Sequence, residues 1–172
     1  MAEKYKKKNP VFVFGLTVLL VSLLYTLIAN SIPQIEFRPP EKVKITPDMS
    51  QRDLARIGKK ILNDKGKCLL CHTIGGEGLR APDLAGIGER AEERKKGYSS
   101  EDYLFESLYY PYKYVVEGYV PSMPPVNKPP LNLSDEEIVA VAAFLQSLGG
   151  KVTVKPMTKP NFEKTGEKRE GN

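Results

Sequence analysis

The stretch Cys68-Leu69-Leu70-Cys71-His72 constrains this chain more than any other, because it uses both cysteines and the single histidine of a 172-residue sequence. Two thiols three positions apart, followed at once by an imidazole, match the attachment site of a c-type haem. The spacing follows from the chemistry. The thiols add across the two vinyl groups on one haem edge, a three-residue step bridges them on a tight turn, and the next residue then lies under the iron as proximal ligand. Other uses of the pair fit less well. A structural zinc site takes about four Cys, His or carboxylate ligands, and the sequence has no second cluster. A thioredoxin-type pair needs no histidine and belongs in an α/β pattern. The expectation is one haem c, attached at Cys68 and Cys71, with His72 on the iron.

Charge narrows the class of partner. Lys and Arg number 26 against 21 Asp and Glu, but the excess sits at the ends. Residues 1–10 hold four Lys and one Glu, and residues 151–172 hold six basic and three acidic groups. Residues 50–150 hold 13 basic and 14 acidic groups. A nucleic-acid-binding domain would need its basic stripe on the folded part, so no nucleic-acid partner is expected.

Residues 11–29 contain no charge. As a helix they would cover roughly 28 Å, about the hydrocarbon thickness of a bilayer. Lys4, Lys6, Lys7 and Lys8 precede the span and predict a cytoplasmic N-terminus, at residues 1–10. A cleaved signal peptide is the rival reading, with Ala29 and Ser31 as small residues near a cut, although its apolar core is usually shorter, roughly 7–15 residues. Either way the rest of the chain is expected across the membrane. Residues 30–49 carry Pro33, Pro39, Pro40 and Pro47 and read as a semi-rigid linker.

Helical periodicity marks a domain over residues 50–150. Leu54, Ile57, Gly58, Ile61 and Leu62 share one face of a helix beginning at Ser50 and ending near Gly66. Thr73 to Arg80 reads as a glycine-rich loop, followed by Ala81-Pro82-Asp83-Leu84, Gly86 and Gly88. A second helix follows from Tyr98, capped by Ser99 or Ser100 and stopped by Pro111, with Tyr103, Leu104 and Leu108 inward. Residues 112–133 form a proline-rich loop. Ser134 and Glu137 make a capping box for a last helix, whose stripe is Ile138, Val141, Ala142, Leu145 and Leu148 and whose end is Gly149-Gly150. Residues 151–172 lack an apolar period and read as a polar tail, disordered alone or ordered along a partner. The fold class is therefore all-α.

A six-coordinate iron needs a second axial ligand, and no second histidine exists. Of Met1, Met49, Met123 and Met157, only Met123 lies inside the domain. Its loop is stiffened by Pro121, Pro124 and Pro125, so it would lose little entropy on binding. A gap-filling methionine and a five-coordinate, gas-binding iron are the alternatives. The second nitrogen of His72 needs an acceptor, which a backbone carbonyl near Pro82 could supply. Arg80 and Arg90 could pair with haem propionates, or remain solvated loop arginines.

With these residues placed, residues 50–150 resemble class I cytochrome c domains. Gly58 and Phe144 look like the pair at which the first and last helices of that family cross. Pro82 resembles its proline that receives the histidine N–H, and Met123 its late-loop ligand. Glu106-Ser107, Pro111, Val115-Val116, Gly118-Tyr119 and Met123-Pro124 are similar to cytochrome domains that feed respiratory oxidases, including those fused to oxidase subunit II. The dinuclear copper ligands of that subunit are missing here. The resemblance implies an electron-transfer protein rather than an enzyme, single-pass in a bacterial inner membrane with its haem domain periplasmic. Implied partners are an integral membrane complex (quinol-oxidising complex, terminal oxidase, nitric oxide reductase or photosynthetic reaction centre) and soluble redox proteins. A gas sensor with an open iron is the second functional expectation.

Overall fold

The computed structural model describes residues 9–33, 44–78 and 80–160, and all regular structure among them is helical. The lysines expected to set orientation, most of the linker and the last twelve residues of the tail lie outside the described residues. The chain divides into two units, residues 1–39 and 40–172.

The first unit is helix α1, Pro10–Ser31. Proline suits its first turn, where its missing N–H would have no helical partner, and the Asn9 side chain accepts from Val11 N at 3.3 Å. Thr17, Thr26 and Ser31 return their hydroxyls to carbonyls four residues back, at 2.8–2.9 Å, so these three hydroxyls are satisfied by the helix itself. No residue of α1 is buried. At 22 residues it is about 33 Å long, enough to cross a bilayer.

The second unit is built on two crossing helices, α2 (Gln51–Asn63) and α5 (Asp135–Ser147). Ser50, where the helical pattern was expected to begin, caps α2, and the Ser134/Glu137 capping box starts α5 as expected from sequence. Leu54, Ile61 and Leu62 from α2 pack with Ile138, Val141 and Leu145 from α5 in the core. Ile57 is only partly buried, and Ala55 takes a core place instead. At Gly58 the backbones touch: a Cβ there would lie 1.8 Å from the Ala140 carbonyl oxygen and 3.0 Å from Phe144 Cβ. Helix α2 ends at Asn63, before Gly66, whose N–H reaches back to the Ile61 carbonyl at 2.7 Å.

Beyond the loop expected over residues 73–80 lies a helix that the sequence pattern did not announce, α3 (Ile87–Arg94). It carries only three buried residues, Ile87, Gly88 and Ala91, too few for a visible period. Its position depends on α5 instead. Gly88 N donates to the Leu148 carbonyl at 3.0 Å, and a Cβ on Gly88 would lie 2.0 Å from the Gln146 oxygen. Helix α4 (Ser100–Tyr109) follows, with Ser99 and Asp102 forming its capping box. Glu106 within it is 2% exposed, paired with Lys95 at 2.5 Å and accepting from Tyr98 at 3.0 Å. This ties the α3–α4 turn to the core.

Residues on both sides of 50–150 pack onto the core of this unit. Ile45 and Met49, placed in the linker, pack against the core. At the other end, residues 151–160 do not form a loose tail. Val154 is fully buried, Pro156 and Pro160 are buried, and Gln51 donates to the Val154 carbonyl at 3.3 Å. Gln146, buried on α5, accepts from Thr153 N at 2.9 Å and Val154 N at 3.3 Å and donates to Thr153 Oγ1 at 2.8 Å. A polar sequence is held here by one buried amide and one valine rather than by a periodic apolar face.

Candidate functional site

After α2 the chain turns through Lys67, in the left-handed region at φ 49°, into a single 3-10 turn, Cys68–Leu70. The Cys68 carbonyl accepts from both Cys71 N, at 3.2 Å, and His72 N, at 2.9 Å. This tight turn brings Cys68, Cys71 and His72 together in the lining of a cavity of about 310 Å³. Leu62, Leu104, Leu108, Val141 and Leu145 line the cavity from α2, α4 and α5, and Met123 lines it from the proline-rich loop. The cysteines are not joined to each other. Burial pushes the Cys68 thiol up to about 11, which favours the neutral thiol over the thiolate.

His72 is oriented by a rigid loop. Its Nδ1 lies 2.8 Å from the Pro82 carbonyl oxygen. A carbonyl only accepts, so Nδ1 carries the proton and Nε2 keeps its lone pair for a metal. Asp83 organises the backbone around that carbonyl. Its Oδ1 accepts from Thr73 Oγ1 at 2.7 Å, Gly75 N at 2.9 Å and Gly76 N at 3.2 Å, and its Oδ2 accepts from Ala85 N at 2.9 Å. The Thr73 hydroxyl above all, with those backbone N–H groups, holds the Asp83 carboxyl below its ordinary value despite some desolvation.

The two arginines singled out in the sequence part company. Arg80 is exposed and lines the cavity. Arg90 does not line it: its guanidinium donates to the Ala85 carbonyl and, at 2.8 Å, to the Asp83 carbonyl. It braces the loop that holds His72. A third arginine, Arg94 on α3, lines the cavity, and its Nε is buried with no hydrogen-bond partner. Tyr103, Ser107 and Tyr114 line the same cavity, and the Tyr103 and Tyr114 rings meet edge to face at 5.8 Å. Burial raises the Tyr103 hydroxyl above its ordinary value, against the opposing effect of Ser107.

These walls fit a haem. The apolar interior accepts the macrocycle, the thiols and imidazole lie together in its lining, and the Arg94 Nε is a buried donor lacking an anion. A haem propionate would supply one. Sequence reasoning gave no role to Asp83 or Arg94, and named Tyr119, which also lines the cavity, only within the Gly118-Tyr119 pair of the family resemblance. Asp83 had a local signal, a carboxylate directly after Pro82 among glycines. Arg94 had none, since it sits in an unrecognised helix between other charged residues.

The family model described as Cytochrome c matches residues 55–149. The match begins within α2 and ends just past α5, so it spans the crossing helices and the whole cavity. No curated protein matches the chain.

Proposed function

The chain belongs to the cytochrome c family, and on that premise we propose that it is a membrane-anchored carrier of single electrons on the outer face of a bacterial inner membrane. The family brings one covalently bound haem c, which supplies a reversible one-electron couple. In this reading Cys68 and Cys71 hold the group by thioethers, His72 is the proximal ligand and Met123 the distal one. The Pro82 carbonyl fixes the ring orientation and tautomer of His72. A thioether is soft and neutral, so Met123 favours the ferrous state and a raised potential. Arg94, Arg80 and Lys67, which line the cavity, are cations available to the propionates.

The observation that carries the reading is that His72 and Met123, 51 positions apart in sequence, line one apolar cavity with both cysteines. The helix α1, long and apolar enough to span a bilayer, supports anchoring. A tether of this kind raises the effective concentration of the carrier at partners in the same membrane. The partner is then an integral electron-transfer complex, of the quinol-oxidising, terminal oxidase, nitric oxide reductase or reaction-centre type, with soluble redox proteins as further exchange partners.

The test is spectroscopic. The ferric protein should show the weak near-infrared sulfur–iron band, and the ferrous protein should bind carbon monoxide poorly. Met123→Ala should abolish the band, lower the midpoint potential and admit carbon monoxide. A parent protein that binds carbon monoxide readily would favour the gas-binding reading with an open iron. A reporter active only outside the cytoplasm, fused after Pro160, tests the orientation: its silence would reverse it.

A further inference from the structure

We propose that Tyr119 is a positioning residue that bolts the Met123 loop to the loop that orients His72, and thereby sets how readily the distal side of the iron opens. The proposal rests on Met123 being the distal ligand.

The Tyr119 hydroxyl donates to the Gly78 carbonyl at 2.8 Å, across 41 positions of sequence. Gly78 lies in the loop clamped by Asp83, the same loop whose Pro82 carbonyl holds His72. The acceptor is tightly seated: a Cβ on Gly78 would come within 2.7 Å of the Ala81 oxygen, 2.8 Å of Asp83 N and 3.1 Å of the Tyr119 hydroxyl. Glycine at 78 therefore allows both the tight turn and the approach of the tyrosine.

On the far side of Met123 the next tie to the core is Val126, whose N–H donates to the Leu108 carbonyl at 3.0 Å and whose carbonyl accepts from Leu133 N at 2.9 Å. Met123 thus sits between two anchors, four residues after one and three before the other. Between them the chain makes the short Ser122 N to Val120 O bond at 2.8 Å and carries Pro121, Pro124 and Pro125. Such a segment has few conformations of its own, so it moves as a unit when an anchor is lost. Releasing the Tyr119 anchor uncouples the segment bearing one ligand from the scaffold bearing the other. A carrier gains from that coupling, because both ligands stay in place as the iron changes charge.

The experiment titrates the ferric holoprotein with imidazole, which displaces a thioether from the iron, and follows loss of the near-infrared band. Tyr119→Phe keeps the ring and removes one hydrogen bond, so the apparent imidazole affinity should rise roughly two- to tenfold, with the band intact before imidazole is added. Gly78→Ala, which displaces the acceptor instead of the donor, should act in the same direction and serves if Tyr119→Phe loads haem poorly. Tyr109→Phe is the control. Its hydroxyl donates to Asp135 at 2.7 Å and it does not line the cavity, so it should lower stability to unfolding without moving imidazole affinity. Equal affinity in Tyr119→Phe and the parent, with the band present in both, would overturn the latch alone. An equal rise in Tyr109→Phe would reduce the effect to general loosening and overturn it too. A parent without the band would remove the Met123 assignment and the latch with it.

Discussion

Gly58→Ala separates two physical effects by the sign of the result. On an isolated helix alanine is favoured over glycine by about 1 kcal/mol, so propensity alone forecasts a more stable protein. In the folded chain the new methyl would lie 1.8 Å from the Ala140 oxygen and 2.4 Å from its carbon. Raising the first distance even to 3.0 Å, the floor for real Cβ contacts, needs α2 and α5 to part locally by roughly 1.2 Å. A gap of about 0.5–1 Å already forfeits a quarter to a half of a dispersion contact, and the loss extends along a seam that holds Leu54, Ile61, Val141 and Leu145. Overpacking of this kind costs about 1–3 kcal/mol or more. Both backbones meet at this point, so no side chain can rotate away, and a net loss of about 2–4 kcal/mol is expected after the propensity gain. The assay is denaturant unfolding of the haem-loaded protein, comparing midpoints at equal slope. Because Leu62 and Leu145 also line the cavity, the visible spectrum should report a loosened haem in the same variant. A Gly58→Ala protein that is more stable than the parent would show that the crossing is not as close as described, and would refute the argument.

Two further outcomes follow from the cavity and from the C-terminal segment. Arg94→Met removes a half-buried cation from the cavity lining, so the midpoint potential should fall by on the order of tens of millivolts, while Arg90→Met, which does not line the cavity, should shift it far less; equal shifts would mean that neither arginine meets a propionate directly. Val154→Asp places a charge at a fully buried site and should cost about 3 kcal/mol or more in unfolding free energy, whereas Met157→Asp, at a position 67% exposed, should change stability by less than about 0.5 kcal/mol. Indifference at both positions would return residues 151–160 to the status of a loose tail.

The features legible along the chain are those whose physics is local. The spacing of Cys68, Cys71 and His72 is dictated by a covalent attachment that needs no knowledge of the fold. The caps at Ser50, Ser99 and Ser134 act within four residues and begin α2, α4 and α5, at or beside the starts legible in the sequence. The apolar run that becomes α1 is equally local, since its length and lack of charge are properties of one segment. Gly58 was legible by resemblance, and the 1.8 Å approach to Ala140 supplies its physical reason.

Tertiary structure decided everything that depends on a partner distant in sequence. Helix α3 has too few buried residues to announce itself, and is held by Gly88 against the end of α5. The segment after Gly150 is polar by composition, yet it is ordered by the buried amide of Gln146 and by Val154. Arg90 and Arg94 lie four residues apart on one helix and are chemically identical, but one braces a loop carbonyl while the other lines the cavity with a donor unmatched. No spacing rule separates them, because a side chain's role depends on the surface that folding brings against it. The same holds for Tyr119. Its hydroxyl found Gly78 only when the proline-rich loop closed over the cavity, and a hydrogen bond spanning 41 positions leaves no trace in the residues on either side of it.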